Sequence, residues 1–117
     1  VRKAGDPAVS QSIEMGRKAH KMILDAVSAF ASEDETAARI VIDADDAVDY
    51  DFNAIKRMLA GEIAADPAKV DAALDAFQIL DVLMVIKYLE RIGDHAVNIA
   101  EWVEFLRTGC YRHEKMF

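Results

Sequence analysis

Two pairs of acidic residues have the types and spacing most suited to chemistry in this sequence. Asp45 and Asp49 lie four positions apart, and so do Glu90 and Asp94. Each pair therefore falls on one face of a helix, where the repulsion costs roughly 0.2–0.5 kcal/mol. Carboxylates from two neighbouring helices can bind a hard metal cation, which would neutralise that repulsion. The spacing predicts a metal site, and the alternative is two solvated helix faces.

The second acidic pair belongs to a longer polar strip. Lys87, Glu90, Asp94, Asn98 and Glu101 follow one another at intervals of three or four residues, so they share one narrow side of a helix. The opposite side of that helix is apolar, and we expect it to be buried. Its members are Phe77, Met84, Tyr88, Ile92, Ile99, Trp102 and Leu106, flanked by Leu89 and Val103.

Helix start and stop signals divide the chain into three helices. An Asp-Pro pair at 6–7 and another at 66–67 each place an N-cap acid before a proline at the first helical position. Between them, Ser32 and Glu35 have the spacing of a capping box, which predicts a second helix directly after the first. The predicted segments are helices over about 7–31, 33–64 and 67–108, and a tail over 109–117.

Short connections between these helices favour antiparallel neighbours. We therefore expect an all-α, up-down-up three-helix bundle with long antiparallel helices, formed by a single domain over residues 1–117. The second connection is expected to place Asp45 level with Glu90, while Asp49 and Asp94 diverge from each other along the bundle axis. Spacing and connection therefore do not by themselves predict one compact site of four carboxylates. Apolar stripes at spacings of three and four predict the core of the first two helices. These are Val9, Ile13, Gly16, His20, Ile23, Val27 and Phe30, and then Val41, Val48, Phe52, Ile55, Leu59 and Ile63.

Composition and charge narrow the class of protein. The chain is 53% hydrophobic and 30% charged, with only 5 Gly and 2 Pro, which is typical of packed helices. Its formal net charge of −7 argues against nucleic-acid binding, because the phosphate backbone would repel it. The most apolar stretch, 79–89, is interrupted by Asp81 and Lys87 and is too short to span a bilayer. A single cysteine, Cys110, and no recognisable signal peptide favour a cytoplasmic protein.

Other candidate sites are weaker. His20 and His95 fall on expected core faces, so packed roles are favoured over metal binding. Cys110 and His113 have a metal-ligand spacing, but two ligands alone make a weak site. Gly93 within a helix costs about 1 kcal/mol relative to alanine and indicates a close helix approach. The sequence shows no Gly-rich phosphate loop, serine nucleophile motif or Cys–His dyad, so we expect no nucleophilic or phosphoryl-transfer catalysis.

The polar strip lies within a run that resembles a family signature. Residues 88–101, YLERIGDHAVNIAE, closely resemble the signature of the PhoU family. Residues 45–49, DDAVD, resemble the companion acid-x-x-x-Asp motif on the preceding helix. The resemblance extends over about residues 8–108, which corresponds to one three-helix repeat of the family.

This resemblance implies a ligand set and a role. In the family, acid-x-x-x-Asp motifs bind iron, zinc or similar divalent or ferric ions, nickel among them. The ligands implied here are Asp45, Asp49, Glu90 and Asp94, with Asn98 and Glu101 as secondary ligands or hydrogen-bonding supports. Members are not enzymes. They restrain the phosphate ABC transporter and a phosphate-sensing histidine kinase when phosphate is plentiful, beside the inner membrane.

The chain departs from the family pattern in its length. Typical members carry two repeats, whereas 117 residues suffice for one. It is therefore expected to be a single-repeat member or half of a longer protein, and homodimerisation could replace the missing repeat.

Two alternative functions remain open at the level of sequence. A diiron-carboxylate or metal-storage bundle needs Glu-x-x-His pairs, which the predicted helices lack. A structural accessory module of another transporter would use its acidic strip to bind a metal, a basic partner or only water.

Overall fold

Three helices account for nearly all of the described structure. The computed structural model describes residues 6–65 and 72–108. The helices are α1 (Pro7–Ser32), α2 (Glu35–Ala65) and α3 (Ala72–Thr108). Each helix packs against the other two, and no strand occurs in the described ranges, which confirms the predicted all-α three-helix bundle. None of the helices described combines the length and apolar character needed to cross a membrane.

The predicted Asp-Pro start of α1 is confirmed. Oδ1 of Asp6 accepts a hydrogen bond from the backbone N–H of Ala8 at 2.9 Å. Pro7 occupies the first helical turn, where its missing N–H costs nothing. The equivalent signal at 66–67 and the predicted tail over 109–117 lie outside the described residues.

The predicted capping box at the start of α2 is wrong. Ser32 is the last residue of α1, and its hydroxyl donates to the carbonyl of Ser28 at 2.8 Å. Glu33 ends α1 in the left-handed conformation, with φ of 53°. Asp34 then caps α2 by accepting a hydrogen bond from the N–H of Ala37 at 3.0 Å. The reversal at Glu33 leaves Asp34 as the residue that precedes α2, so the aspartate replaces the serine as the cap.

The helix directions follow from the connection and the contacts. A connection of two residues makes α1 and α2 antiparallel. Arg39, near the start of α2, donates to Glu104, near the end of α3, at 3.1 Å, so α2 and α3 are also antiparallel. α1 and α3 therefore run in the same direction, with Gly16 beside Leu89. The chain has the predicted up-down-up order.

The buried side of α1 differs from the predicted stripe. Ile13, Val27 and Phe30 are 45–52% exposed, and His20 is also exposed rather than packed in the core. The buried residues are Ala8, Met15, Ala19, Met22, Ala26 and Ala29. Small side chains allow helices to approach closely, so the alanine-rich side packs inward and the larger apolar residues remain outside.

The predicted core of α2 is largely confirmed. Its buried residues include Val41, Val48, Phe52, Ile55 and Leu59. Ile63, close to the end of the helix, is 65% exposed. This helix has one apolar side and one charged side, so its pattern fits a single orientation.

The predicted core face of α3 is mostly wrong. Phe77, Met84, Tyr88 and Leu106 are 52–66% exposed, and His95 is exposed instead of packed. The buried residues of α3 are Ile86, Gly93, Ala96, Ala100, Glu101, Val103 and Glu104. Apolar side chains occur on nearly every side of this helix, so the pattern alone did not select one face. Glycine and alanine permit the closest packing, and their side faces the core.

Candidate metal-binding site

The four predicted carboxylate ligands lie where α2 packs against α3. Gly93 brings these helices close together. A Cβ atom built on it would lie 3.4 Å from Oδ1 of Asp45 and 3.6 Å from Cγ1 of Val48. The predicted close helix approach at Gly93 is thus confirmed. Asp45 lies level with Gly93 and not with Glu90, because α2 and α3 are shifted by about three residues relative to the expected alignment.

Asp45 has the most perturbed carboxyl group of the described structure. Burial is the largest cause of the rise in its pKa from 3.8 to about 6, followed by the negative charges of Asp49, Asp94, Asp46 and Glu90. These charges come from both helices. The two acidic pairs therefore share one electrostatic environment, which we call the acidic site and define as Asp45, Asp49, Glu90 and Asp94.

The other acids of the site are perturbed in the same direction. Burial raises the pKa of Asp49, and Glu90 and then Asp94 add to the rise. Burial and Glu90 also raise the pKa of Asp94, against a lowering by His95 and Lys87. Asp45 lies beside Gly93, so Asp94 is its neighbour along α3. Because α2 and α3 are antiparallel, Asp49, one turn further along α2, lies on the side of Asp45 toward Glu90, one turn back along α3.

One oxygen of the acidic site lacks a hydrogen-bond partner. Oδ1 of Asp45 is buried and accepts no hydrogen bond from the residues that the structure describes. Such an atom costs roughly 1–3 kcal/mol. By contrast, the buried carboxylate of Asp51 accepts a hydrogen bond from Gln11 at 2.9 Å and forms an ion pair with Lys18 at 2.8 Å. A cation at Asp45 would supply the compensation that Asp51 receives from its neighbours.

Asn98 and Glu101 continue the strip along α3. Asn98 is half-buried and Glu101 is 3% exposed. Glu101 follows Asp94 by seven residues on α3, which separates it from the acidic site along the helix axis. From their spacing, Asn98 and Glu101 lie about one and two helical turns beyond Asp94. The structure brings the four principal candidates together and places these two beyond them.

Two further residues modify the charge of the site. Asp46 adds to burial in raising the pKa of Asp45, although sequence reasoning did not select it as a ligand. Asp46 is adjacent to Asp45 in the sequence, which could have indicated it. Neighbouring residues on a helix project about 100° apart, however, so the four-residue spacing did not select it. Lys87 partly balances the site, since its Nζ lies 3.4 Å from Oε1 of Glu90 and 5.4 Å from the ring centre of Phe52.

The acidic site is not closed around a single point. Among residues 6–63 and 76–106, whose side chains the structure describes, no three His, Cys, Asp or Glu side chains are placed to hold a metal ion as they stand. Convergence on an ion therefore requires these side chains to rotate. Aspartate and glutamate have several staggered rotamers, which allow such a rotation. The donor set consists of carboxylate oxygens, which suit hard divalent or ferric cations.

Comparison with known proteins identifies relatives over most of the chain. A family model described as the PhoU domain matches residues 13–103. A phosphate-specific transport system accessory protein PhoU homolog from Caulobacter vibrioides is 39% identical over 103 residues, covering 87% of this chain and 42% of the relative. Homologs of the same description from Pseudomonas aeruginosa and Clostridium acetobutylicum are each 35% identical, over 81% and 86% of this chain.

The same matches show how much of a relative this chain represents. They cover 37% of the Pseudomonas aeruginosa protein and 43% of the Clostridium acetobutylicum protein. The chain thus spans about two fifths of the length of the curated relatives it matches. No solved structure matches it significantly.

Proposed function

Because the chain belongs to the PhoU family, we propose that it is a non-enzymatic, metal-binding regulator of phosphate uptake and phosphate-starvation signalling. Its relatives are described as accessory proteins of the phosphate-specific transport system, which supports the proposed role in phosphate uptake. The protein acts by contacts with the phosphate ABC transporter and a sensor histidine kinase. It does so as a homodimer in the cytoplasm, peripheral to the inner membrane.

The acidic site is the observation that supports metal binding. Carboxylates from α2 and α3 raise one another's pKa values in addition to the effect of burial, and a bound cation would reverse this penalty. Asp45, Asp49, Glu90 and Asp94 supply the principal ligands for iron, zinc or nickel. Asn98 and Glu101 act as secondary ligands or hydrogen-bonding supports.

A bound ion would also change the surface that partners meet. The chain has a formal net charge of −7, and the acidic site concentrates negative charge between α2 and α3. A divalent or ferric ion reduces this local field and fixes the spacing of the two helices. In the proposal the ion therefore acts on protein contacts and not on a chemical reaction.

The metal-binding proposal is tested by the metal content of the purified protein. We expect wild-type protein to retain iron, zinc or nickel near stoichiometry, measured by mass spectrometry of the elements. The double variant Asp45→Asn/Glu90→Gln should lose at least tenfold of that content, because it removes one ligand from each helix.

The matched control removes two exposed acids outside the site, again one from each helix. Asp43→Asn/Asp81→Asn changes the net charge by the same amount and should leave metal content unchanged, since both residues are exposed. Circular dichroism checks that both variants remain helical. Equal metal content in the wild type and the Asp45/Glu90 variant would reject the site.

The regulatory proposal is tested in cells. Deleting the gene should derepress phosphate-starvation transcription in phosphate-rich medium, measured with a reporter. The wild-type gene should restore repression, and Asp45→Asn/Glu90→Gln should restore it less. Normal repression in the deletion strain would reject the regulatory role.

A structural or metal-binding accessory module of another transporter is the second candidate. For its structural form, the observation in favour is that no three side chains converge on an ion as they stand among residues 6–63 and 76–106, whose side chains the structure describes. It predicts normal phosphate repression after gene deletion. The reporter experiment therefore separates it from the proposed regulator.

A further inference from the structure

A buried carboxylate links α1 to α2 outside the acidic site. Asp51 of α2 is 1% exposed, and its Oδ2 lies 2.8 Å from Nζ of Lys18 on α1. Its Oδ1 accepts a hydrogen bond from Nε2 of Gln11 at 2.9 Å. Gln11 and Lys18 are seven residues apart, so they lie on one side of α1, two turns from each other. We call these three residues the α1–α2 clamp.

The buried side of α1 does not by itself fix the position of this helix along the bundle. Ala8, Met15, Met22 and Ala29 are buried at intervals of seven residues. A shift of α1 by two turns would therefore place small or flexible apolar side chains at the same positions, and methionine adapts to gaps of different shape. Apolar packing alone specifies this register weakly.

The exposed side of α1 gives the helix an alternative orientation. Ile13, Leu24, Val27 and Phe30 are large apolar side chains that remain 45–56% exposed. Turning α1 to bury them would remove more apolar surface from water than burying alanines does. The observed orientation is therefore best selected by an interaction that the turned helix would lose.

The α1–α2 clamp is an interaction of that kind. Sliding or turning α1 would separate Asp51 from both Lys18 and Gln11. A buried carboxylate that loses its ionic partner is strongly destabilising, although an intact buried pair adds little net stability over apolar residues of similar size. A polar residue among apolar ones fixes the register of packed helices in the same way. The clamp therefore penalises other positions of α1 more than it stabilises this one.

The clamp lies one helical turn from the base of the acidic site. Met22 of α1 and Val48 of α2 are each about one turn beyond it, in the same direction because these helices are antiparallel. A Cβ atom built on Gly93 of α3 would lie 3.8 Å from Sδ of Met22 and 3.6 Å from Cγ1 of Val48. The same Cβ position is 3.4 Å from Oδ1 of Asp45. All three helices therefore meet beside Asp45.

We propose that Asp51 is a positioning residue for the acidic site, because it fixes α1 against α2 through Lys18 and Gln11. With α1 in this position, Met22 supports Gly93, and Asp45 lies against the same glycine. Asp51 is not itself a ligand, since both of its oxygens face α1. The effect on metal affinity rests on the proposed metal-binding function, whereas the position of α1 is a property of the metal-free fold.

Replacing the clamp by apolar residues separates positioning from stability. The double variant Lys18→Met/Asp51→Leu removes one charge of each sign, and replacing a buried ion pair by apolar residues is often neutral or stabilising. Its helicity and urea midpoint should therefore stay close to those of the wild type. Glu14→Leu/Arg17→Met is the matched control, because it makes the same change of charge in a pair formed by two exposed residues of α1.

Nuclear magnetic resonance of the metal-free protein, labelled at its methionine methyl groups, reports the position of α1. The wild type should show one Met22 methyl signal with contacts to the methyl groups of Val48. The double variant should show more than one Met22 signal, or a signal broadened by exchange, with weaker contacts to Val48. The control variant should match the wild type.

Zinc affinity, measured by competition with a chromogenic chelator, reports the effect on the acidic site. It should fall about tenfold in the double variant, as for other residues that orient ligands from outside the coordination sphere, and stay unchanged in the control. A wild type that binds no zinc would reject the metal-binding proposal, and the methyl spectra would then decide this inference.

Two single variants keep the inference testable should the double variant not fold. Lys18→Arg keeps the ion pair and should give the wild-type spectrum and zinc affinity, whereas Lys18→Met should displace the Met22 signal. Identical Met22 spectra in these two variants would overturn the inference. A folded double variant with the wild-type Met22 signal, or with a displaced signal and unchanged zinc affinity, would also overturn it.

Discussion

α3 borders two surfaces of opposite character. Toward α2 it contributes Glu90 and Asp94 to the acidic site, where burial and then the negative charge of Glu90 raise the pKa of the Asp94 carboxyl group. Toward α1 it contributes Val85 and Leu89 to an apolar groove. Between them, small buried residues hold the helix against the bundle. The packed side of α3 sets the fold, and its two flanks differ in chemistry: carboxylates lie on the flank toward α2, and apolar side chains lie on the flank toward α1.

The largest effect should follow from filling the close contact beside the acidic site. Gly93→Leu should lower the free energy of unfolding by about 3 kcal/mol, because overpacking a tight contact is costly and Oδ1 of Asp45 lies 3.4 Å from the position of the new Cβ. Urea denaturation measures this loss. Gly61→Leu is the control, since nothing lies within 4 Å of a Cβ there, and it should be neutral or stabilising. Equal losses in both variants would contradict the close packing at Gly93.

A smaller loss should follow at the paired buried carboxylate of α2. Asp51→Asn should destabilise the fold by about 1–2 kcal/mol, because it removes the charge of an ion pair with Lys18 at 2.8 Å while the residue stays buried. Urea denaturation of the metal-free protein measures the change. A variant as stable as the wild type would show that the Lys18 pair contributes nothing.

An Asp→Asn substitution in the acidic site should change the stability of the fold in the opposite direction. Asp45→Asn should stabilise the metal-free fold at neutral pH by about 1 kcal/mol. The rise in the pKa of Asp45 from 3.8 to about 6 corresponds to roughly 3 kcal/mol in the absence of solvent screening, and water reduces this at a partly exposed carboxyl. Urea denaturation with a chelator present measures the gain. A destabilised variant would contradict the strain that we assign to this carboxylate.

The stabilisation by Asp45→Asn should also depend on pH. The folded state holds the Asp45 proton up to about pH 6, whereas the unfolded state releases it near 3.8. The folded state therefore binds more protons within this window, and the stability of the wild type falls as pH rises through it. The gain from the variant should be full above the window and absent below it. A gain that is constant across the window would rule out titration of Asp45 as its cause.

The sequence predicted the number and type of helices because the signals were local. Asp6 and Pro7 marked the start of α1, and α2 has a single apolar side that includes Val48 and Ile55. Periodicity did not select the buried side of α1 or α3. Both helices carry large apolar residues outside, such as Ile13 and Tyr88, and the packed sides consist mainly of small residues.

The acidic site was predicted in part. Spacing alone placed each acidic pair on one helix face, and the family resemblance joined the two pairs into a ligand set. The alignment of α2 against α3 was not predictable, because it depends on the packing of Gly93 against Asp45 and Val48. The burial of Asp45, which is the main cause of its raised pKa, follows from that packing and from no local signal.

Anomalous diffraction from crystals of the iron-, zinc- or nickel-loaded protein tests the acidic site most directly. We predict a peak between α2 and α3, within coordination distance of carboxylates from both helices, with Asp45 and Asp94 or Asp49 and Glu90 among the ligands. A fully loaded crystal with no peak there, or with peaks only at other positions, would contradict the account.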